Sequence, residues 1–234
     1  MYTLGIINTQ GSSIARECDE VLYINAGIEC AVATTKAYSL QALMFSLLVY
    51  KTLKGEEKER VLNEFRELPN ELSKILENDY KDIVEKLYKH EDIFFIGRQN
   101  DYALCLEACL KLKEISYIHS ETYPAGELKH GTISLIEEGT PVIAIVTDES
   151  IAEKTISNIK ETRARGAYVL LLIRDGIEIN DDVYDDIIVV PNNTIFTISL
   201  LVTVPMQIIA YYIALSRGCD IDKPRNLAKS VTVE

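Results

Sequence analysis

Within the stretch Leu106–Gly131, LEACLKLKEISYIHSETYPAGELKHG, Glu107, Lys111 and Glu114 fall at i, i+4 and i+7. On a helix that spacing lines up two carboxylates and an ammonium group along one face. A Gly-framed turn follows and carries Glu127, Lys129 and His130. Carboxylates, amines and an imidazole within one short stretch are what proton transfer on a small polar substrate needs. Taken alone, Glu107 and Lys111 would be a surface ion pair worth about 0.2–0.5 kcal/mol. The apolar stripe Leu104, Ala108, Leu112 and Ile115, widened by Cys105, Cys109 and Leu110, argues otherwise. It leaves a narrow ionisable face flanked by packed surface, where a carboxylate pKa can move toward neutrality.

Two further positions bear on chemistry. His130 alone would be an ordinary surface residue, and the two adjoining glycines and a carboxylate raise its standing only modestly. His90 sits at a charged helix end, and His119 is expected near a helix C-terminus, where it would cap carbonyls. The polar tail Asp220–Glu234 would by default be disordered. Yet Leu227, Val231 and Val233 are apolar, and Lys229 lies between Ala228 and Ser230. Docking of such a tail would desolvate the lysine, lower its pKa and make the amine nucleophilic.

The elements that must position these residues follow from periodicity. Apolar runs predict strands at Asp92–Gly97, Pro141–Thr147, Ala167–Arg174 and Asp186–Val190. Helical spacing predicts Tyr102–Tyr117, Glu149–Arg165 with its stop at Gly166, and a long helix Thr194–Arg217 with Asn192 or Asn193 as its cap. Continuous apolar strands alternating with helices mean a parallel sheet covered on both faces. The first half reads as a second copy of the end of that domain. Thr3–Thr9 matches Ala167–Arg174, Cys18–Asn25 matches Tyr184–Pro191, and a long apolar helix, Thr34–Leu53, follows. On this reading the opening elements of the first copy precede Met1. Between the copies, 54–90 is a Lys/Glu-rich connector of two helices separated by Pro69.

Composition narrows the function classes. The chain has 234 residues, 47% hydrophobic and 26% charged, enough for a packed core. A net charge of −12 argues against a nucleic-acid surface. Five scattered cysteines without CxxC spacing, Cys105 and Cys109 among them, predict buried thiols in a reducing compartment rather than a metal set. The N-terminus lacks the basic and apolar regions of a signal peptide. Thr194–Ser216 carries no charge and is long enough to span a bilayer. Pro205, Gln207 and several hydroxyl residues make it instead a helix buried within or between subunits.

ECAVATTKAYSLQ (29–41), EACLKLKEISYIH (107–119), AGELKHG (125–131) and PRNLAKSVTVE (224–234) together resemble the isomerase half of the glucosamine-6-phosphate synthase family, which is built on two sugar isomerase (SIS) domains. The resemblance implies an α/β fold: an SIS-type three-layer αβα sandwich with a mainly parallel sheet. It places part of a first SIS domain at 1–53, the connector at 54–90, a complete second domain at 91–219 and the tail at 220–234. It further implies that Lys229 forms a Schiff base with open-chain fructose 6-phosphate and that Glu114 moves a proton between C1 and C2. His130 opens the sugar ring, serving the neighbouring subunit of a homodimer. Lys111 and Glu107 support the charge and orient the histidine, while Val32, Thr34 and Ala228 hold the sugar, Thr34 standing where the family has a serine. No metal or organic cofactor, nucleic acid or membrane is implied, and the location is the cytoplasm. The family's glutaminase domain and its Ser/Thr-rich phosphate loop would lie upstream of Met1. The expectation is therefore an N-terminally truncated enzyme that keeps the isomerase residues without the main phosphate grip. Alternatives of the same fold are a non-catalytic sugar-phosphate-binding module and a sugar-phosphate deaminase or deglycase.

Overall fold

The computed structural model describes residues 1–228. Five parallel strands form its main sheet: β3 (Asp92–Gly97), β4 (His119–Pro124), β5 (Pro141–Val146), β6 (Tyr168–Arg174) and β7 (Asp186–Val190), in the order β4-β3-β5-β6-β7. Alternate side chains divide the core into two layers. Ile93, Phe95, Ile143, Ile145, Leu170 and Leu172 are buried toward helices α5 (Asn100–Ser116) and α7 (Ile195–Ser216). Phe94, Ile96, Val142, Ala144, Val146 and Leu171 face the opposite way, with α6 (Glu149–Arg163). A strand read as continuously apolar is thus apolar because both its faces are covered. The result is the three-layer arrangement expected. Gly97 permits close packing of β3 on α5, since a Cβ there would lie 2.6 Å from the Asp101 backbone. Gly166, at φ +88°, closes α6 as anticipated.

A smaller parallel pair, β1 (Leu4–Ile7) and β2 (Glu20–Tyr23), precedes α2 (Lys36–Tyr50). A short helix α1 (Ser13–Glu17), which periodicity did not suggest, joins the two strands. Ser12 caps it by accepting a hydrogen bond from the Ala15 amide at 3.3 Å. The connector forms α3 (Gly55–Glu77) and α4 (Lys81–Leu87), which pack with α2 around α7.

Three expectations need correction. Pro69 does not separate two helices, because α3 runs through it and the break falls at Asn78–Tyr80. A proline within a helix costs about 3 kcal/mol, but Val61, Leu68 and Ile75 are buried at seven-residue intervals, and that packing holds the helix together. His119 does not cap α5. It opens β4, and its Nδ1 lies 2.6 Å from Asp92. HSETYP carries no strand pattern in its residues because it is an edge strand, paired among the described residues with β3 alone and lacking a fully apolar face. Neither Asn192 nor Asn193 caps α7. Thr194 is the N-cap residue, and the carboxylate of Glu64, from α3, accepts from its amide at 3.1 Å and its hydroxyl at 2.5 Å. The same carboxylate accepts from the Thr197 hydroxyl at 3.0 Å, and Asn193 donates to Glu71 at 2.9 Å.

Helix α7 is long and apolar enough to cross a membrane by length and composition. Its twelve buried residues, Thr197 to Ala214, pack inside the protein and account for that apolarity. Cys105 and Cys109 lie buried in the same core layer, and burial pushes the Cys105 thiol well up. Replacing Glu64 by Ala removes the carboxylate that the connector supplies to the start of α7. The expected loss is about 2 kcal/mol, read as a lower urea midpoint without a change in m-value.

Candidate active site

Helix α5 places Glu107, Lys111 and Glu114 on a face that turns inward rather than to solvent. Lys111 Nζ lies 2.6 Å from Glu114 Oε2 and 3.7 Å from Glu107 Oε1, and it donates to the Thr34 carbonyl at 3.0 Å. The Lys111 and Glu107 side chains are 5% and 10% exposed, and Glu114 is 23% exposed. The helical ion pair expected by default at the surface is therefore a desolvated triad. Burial, helped by the nearby Glu114 charge, raises the Glu107 carboxyl above its ordinary value against the pull of Lys111. Among the described residues Glu107 Oε1 is buried with no hydrogen bond of normal length, and Lys111 is its ionic neighbour at 3.7 Å.

The loop between β2 and α2 covers this triad. Glu29 Oε1 accepts from the Thr35 amide at 2.8 Å, and Lys36 Nζ donates to the Ile28 carbonyl at 2.6 Å. The Val32 amide donates to the Asp222 carbonyl at 3.1 Å. Val32 and Thr34 are thereby held beside α5, both half-buried. On one side of the loop opens a cleft of about 760 Å³, lined by Asn8, Thr9, Gln10, Glu29, Thr34 and Gln41. It lies beyond the carboxyl ends of β1 and β2, where open parallel sheets place their ligands. On the other side is a crevice of about 190 Å³ lined by Ala31, Ala33, Thr35, Lys111, Ile115, Gln207, Tyr211, Ile221 and Asp222.

The structure does not bring every expected residue together. His130 is exposed, on a short 3₁₀ turn (Leu128–His130) that follows the carboxyl end of β4, whereas Glu114 is in the last turn of α5, which returns the chain to the start of β4. The length of β4, roughly 17 Å at strand rise, lies between those two ends. Within one chain His130 is therefore apart from the triad. Ala228 is exposed at the limit of the described residues, and Lys229 lies outside them.

Two residues at the site were not anticipated. Tyr38, on α2, is half-buried, and burial followed by the Glu107 charge raises its hydroxyl pKa against a hydrogen bond with Thr203. Gln207, on α7, has its buried Nε2 unpartnered among the described residues. Both lie in segments that read simply as apolar helix, and neither had a spacing signal to mark it.

A profile of the SIS domain matches residues 86–216. The chain belongs to the SIS domain family. Glutamine–fructose-6-phosphate aminotransferase (isomerizing) of Caldanaerobacter subterraneus is 47% identical over 99% of this chain, and the protein of that name from Symbiobacterium thermophilum is 50% identical over 99%. The chain spans 39% of the length of each. Among solved structures, the C-terminal domain of glucosamine-fructose-6-phosphate aminotransferase from Francisella tularensis aligns with a TM-score of 0.88 and 31% identity. It covers 94% of this chain and 65% of that one. A glucosamine-6-phosphate deaminase from Thermotoga maritima aligns with a TM-score of 0.70 at 27% identity, covering 97% and 66%. These relatives confirm the SIS architecture and match this chain to the isomerase part of the aminotransferases.

Two measurements check the electrostatics of the triad. Lys111→Met leaves two carboxylates facing each other in a desolvated site. It should cost about 3 kcal/mol at neutral pH. Glu107 itself binds more protons folded than unfolded over the window from its unfolded pKa up to its raised folded one. Its stabilising contribution is thus complete below the unfolded value and lost as pH rises through the folded value. Glu107→Gln should flatten that segment of the stability–pH curve measured by urea unfolding.

Proposed function

We propose that this chain is the isomerase part of a glutamine–fructose-6-phosphate aminotransferase, turning fructose 6-phosphate and ammonia into glucosamine 6-phosphate. The observation that carries the reading is the desolvated Glu107–Lys111–Glu114 triad, held against the Thr34 carbonyl in a chain nearly half identical to such enzymes. Glu114 is the most open member of the triad and is the proton carrier. Lys111 stabilises negative charge as it develops, and Glu107 supports Lys111. The backbone and hydroxyl groups of Val32, Thr34 and Ala228 hold the sugar.

In this reading the Lys229 amine adds to the C2 carbonyl of the open-chain ketose and expels water, forming an imine. Ammonia adds to that imine and releases the lysine, which leaves nitrogen on C2. Glu114 then removes a proton from C1 and returns one to C2, so that the carbonyl character moves to C1. The imine supplies the electron sink that makes the carbon acid accessible. His130 assists ring opening from the neighbouring subunit of a homodimer, in keeping with its distance from Glu114 within one chain. A cytoplasmic location accords with this metabolism.

Borohydride reduction in the presence of fructose 6-phosphate should leave a stable adduct on Lys229, located by peptide mapping. Glu114→Gln should retain that adduct and lose about 10²–10⁴-fold in fructose 6-phosphate to glucose 6-phosphate interconversion. An unmodified Lys229 under conditions where the sugar phosphate binds would reduce the chain to a binding module. Ammonia release from glucosamine 6-phosphate as the main activity would favour the deaminase reading instead.

A further inference from the structure

We infer that Arg98 is a positioning residue for His130: its guanidinium, held by Asn158 on α6, supports the turn that carries the histidine. This deepens the catalytic reading above and rests on it. Arg98 follows the carboxyl end of β3 and precedes α5. The backbone on its far side is tightly fixed. The chain turns sharply at Gln99, with φ 51° and ψ −119°, and the Arg98 carbonyl accepts from the Asp101 amide at 3.0 Å. Asp101 is buried, and its carboxylate accepts from the Thr147 amide at 2.8 Å, which ties this turn to the end of β5. A residue other than glycine kept at positive φ is strain that such contacts must hold in place.

The side chain joins two elements. Arg98 Nη2 donates to Asn158 Oδ1 at 2.8 Å, and Asn158 is itself buried. The same guanidinium lies against Gly126, where a Cβ would stand 2.7 Å from Nη2 and 3.3 Å from Cζ. Arg98 Nε is buried with no partner among the described residues, so protein packing rather than water orients the group. Gly126 sits in the turn between the buried anchors Ala125 and Leu128. Within that turn the Glu127 amide donates to the Pro124 carbonyl at 2.7 Å, and the His130 amide to the Glu127 carbonyl at 3.0 Å. A tie between the β3 loop and α6 would need Asn158 alone. The bare Cα of Gly126 is what lets the turn come down onto the guanidinium, and His130 is four residues further on. Proton transfer by an imidazole is sensitive to displacements of about 1 Å, so the support bears on ring opening.

Fructose 6-phosphate and its 5-deoxy analogue separate ring opening from the rest of the reaction. Lacking O5, and with O6 phosphorylated, the analogue closes neither a furanose nor a pyranose ring and enters the site already open. Proton removal at C1 is common to both sugars. With the full chain, the ratio of fructose 6-phosphate turnover to analogue turnover should fall about ten-fold in Arg98→Met. Gly126→Ala, which pushes the guanidinium away, should lower it by a similar factor. His130→Gln sets the change expected when ring opening itself is lost, and should move the ratio the same way and further. Arg98→Lys keeps the charge without the planar fork, and should lower the ratio even where Arg98→Met fails to fold. Amide hydrogen exchange should quicken at 125–131 in the Arg98 variants and not within β6. An unchanged ratio in folded Arg98 and Gly126 variants would overturn the inference, whatever stability they lose. An unchanged ratio in His130→Gln would overturn the histidine's role and this inference with it. No wild-type turnover of either sugar would overturn the catalytic reading itself.

Discussion

An ammonium group is tolerated out of water only where acceptors surround it, and Lys111 draws the rest of the site together on that account. Two of its partners come from its own helix and are a matter of helical spacing. The third is the Thr34 carbonyl, 77 residues upstream. That contact ties the β2–α2 loop to the end of α5 and fixes the wall between the open cleft and the small crevice. The loop is further held by Glu29 on the Thr35 amide and by Asp222 on the Val32 amide. A desolvated cation thus determines where a loop of no regular structure must lie. It also keeps two carboxylates close together that would otherwise repel.

The two passages from a strand into a long helix, β2 to α2 and β7 to α7, are put to different uses. In the second half, β7 passes to α7 across only Pro191–Thr194, and the helix N-terminus receives the Glu64 carboxylate from α3. In the first half, β2 passes to α2 across residues 24–35, and the Thr35 amide receives the carboxylate of Glu29 within that loop. Each helix start takes an acidic partner, as orphan amides and the helix dipole favour. At α7 the partner docks the connector and serves the fold. At α2 it shapes a long loop that reaches the triad. The two passages differ most in the length of that loop.

Distance within the sheet organises the rest. Helix α5 runs back from the carboxyl end of β3 to the start of β4, carrying Glu114 to one end of the sheet, while β4 carries the chain on to His130 at the other. Residues that are neighbours in the sequence are thereby set apart. The tail makes the opposite journey, since Arg225 comes back to Tyr117, 108 positions before it. A site assembled this way draws on loop, helix and tail, each held by contacts that lie far apart along the chain.

Much of this was legible in the residues themselves. The apolar runs of β3, β5, β6 and β7, the stop at Gly166, and the shared helix face of Glu107, Lys111 and Glu114 follow from local period and backbone freedom, which neighbouring residues encode. Other features depended on partners that periodicity does not see. HSETYP became a strand because β3 offers it an edge, and α3 continued through Pro69 because Val61, Leu68 and Ile75 are buried. Glu64 capped α7 from 130 residues away. The sequence by itself determined which groups could do proton chemistry and on which helix face they lie. Only the tertiary structure decided that the face is desolvated, that Thr34 completes it and that His130 is remote from it. The reason is that a buried polar group must find its partner in space, and the nearest partner in space need not be near in the chain.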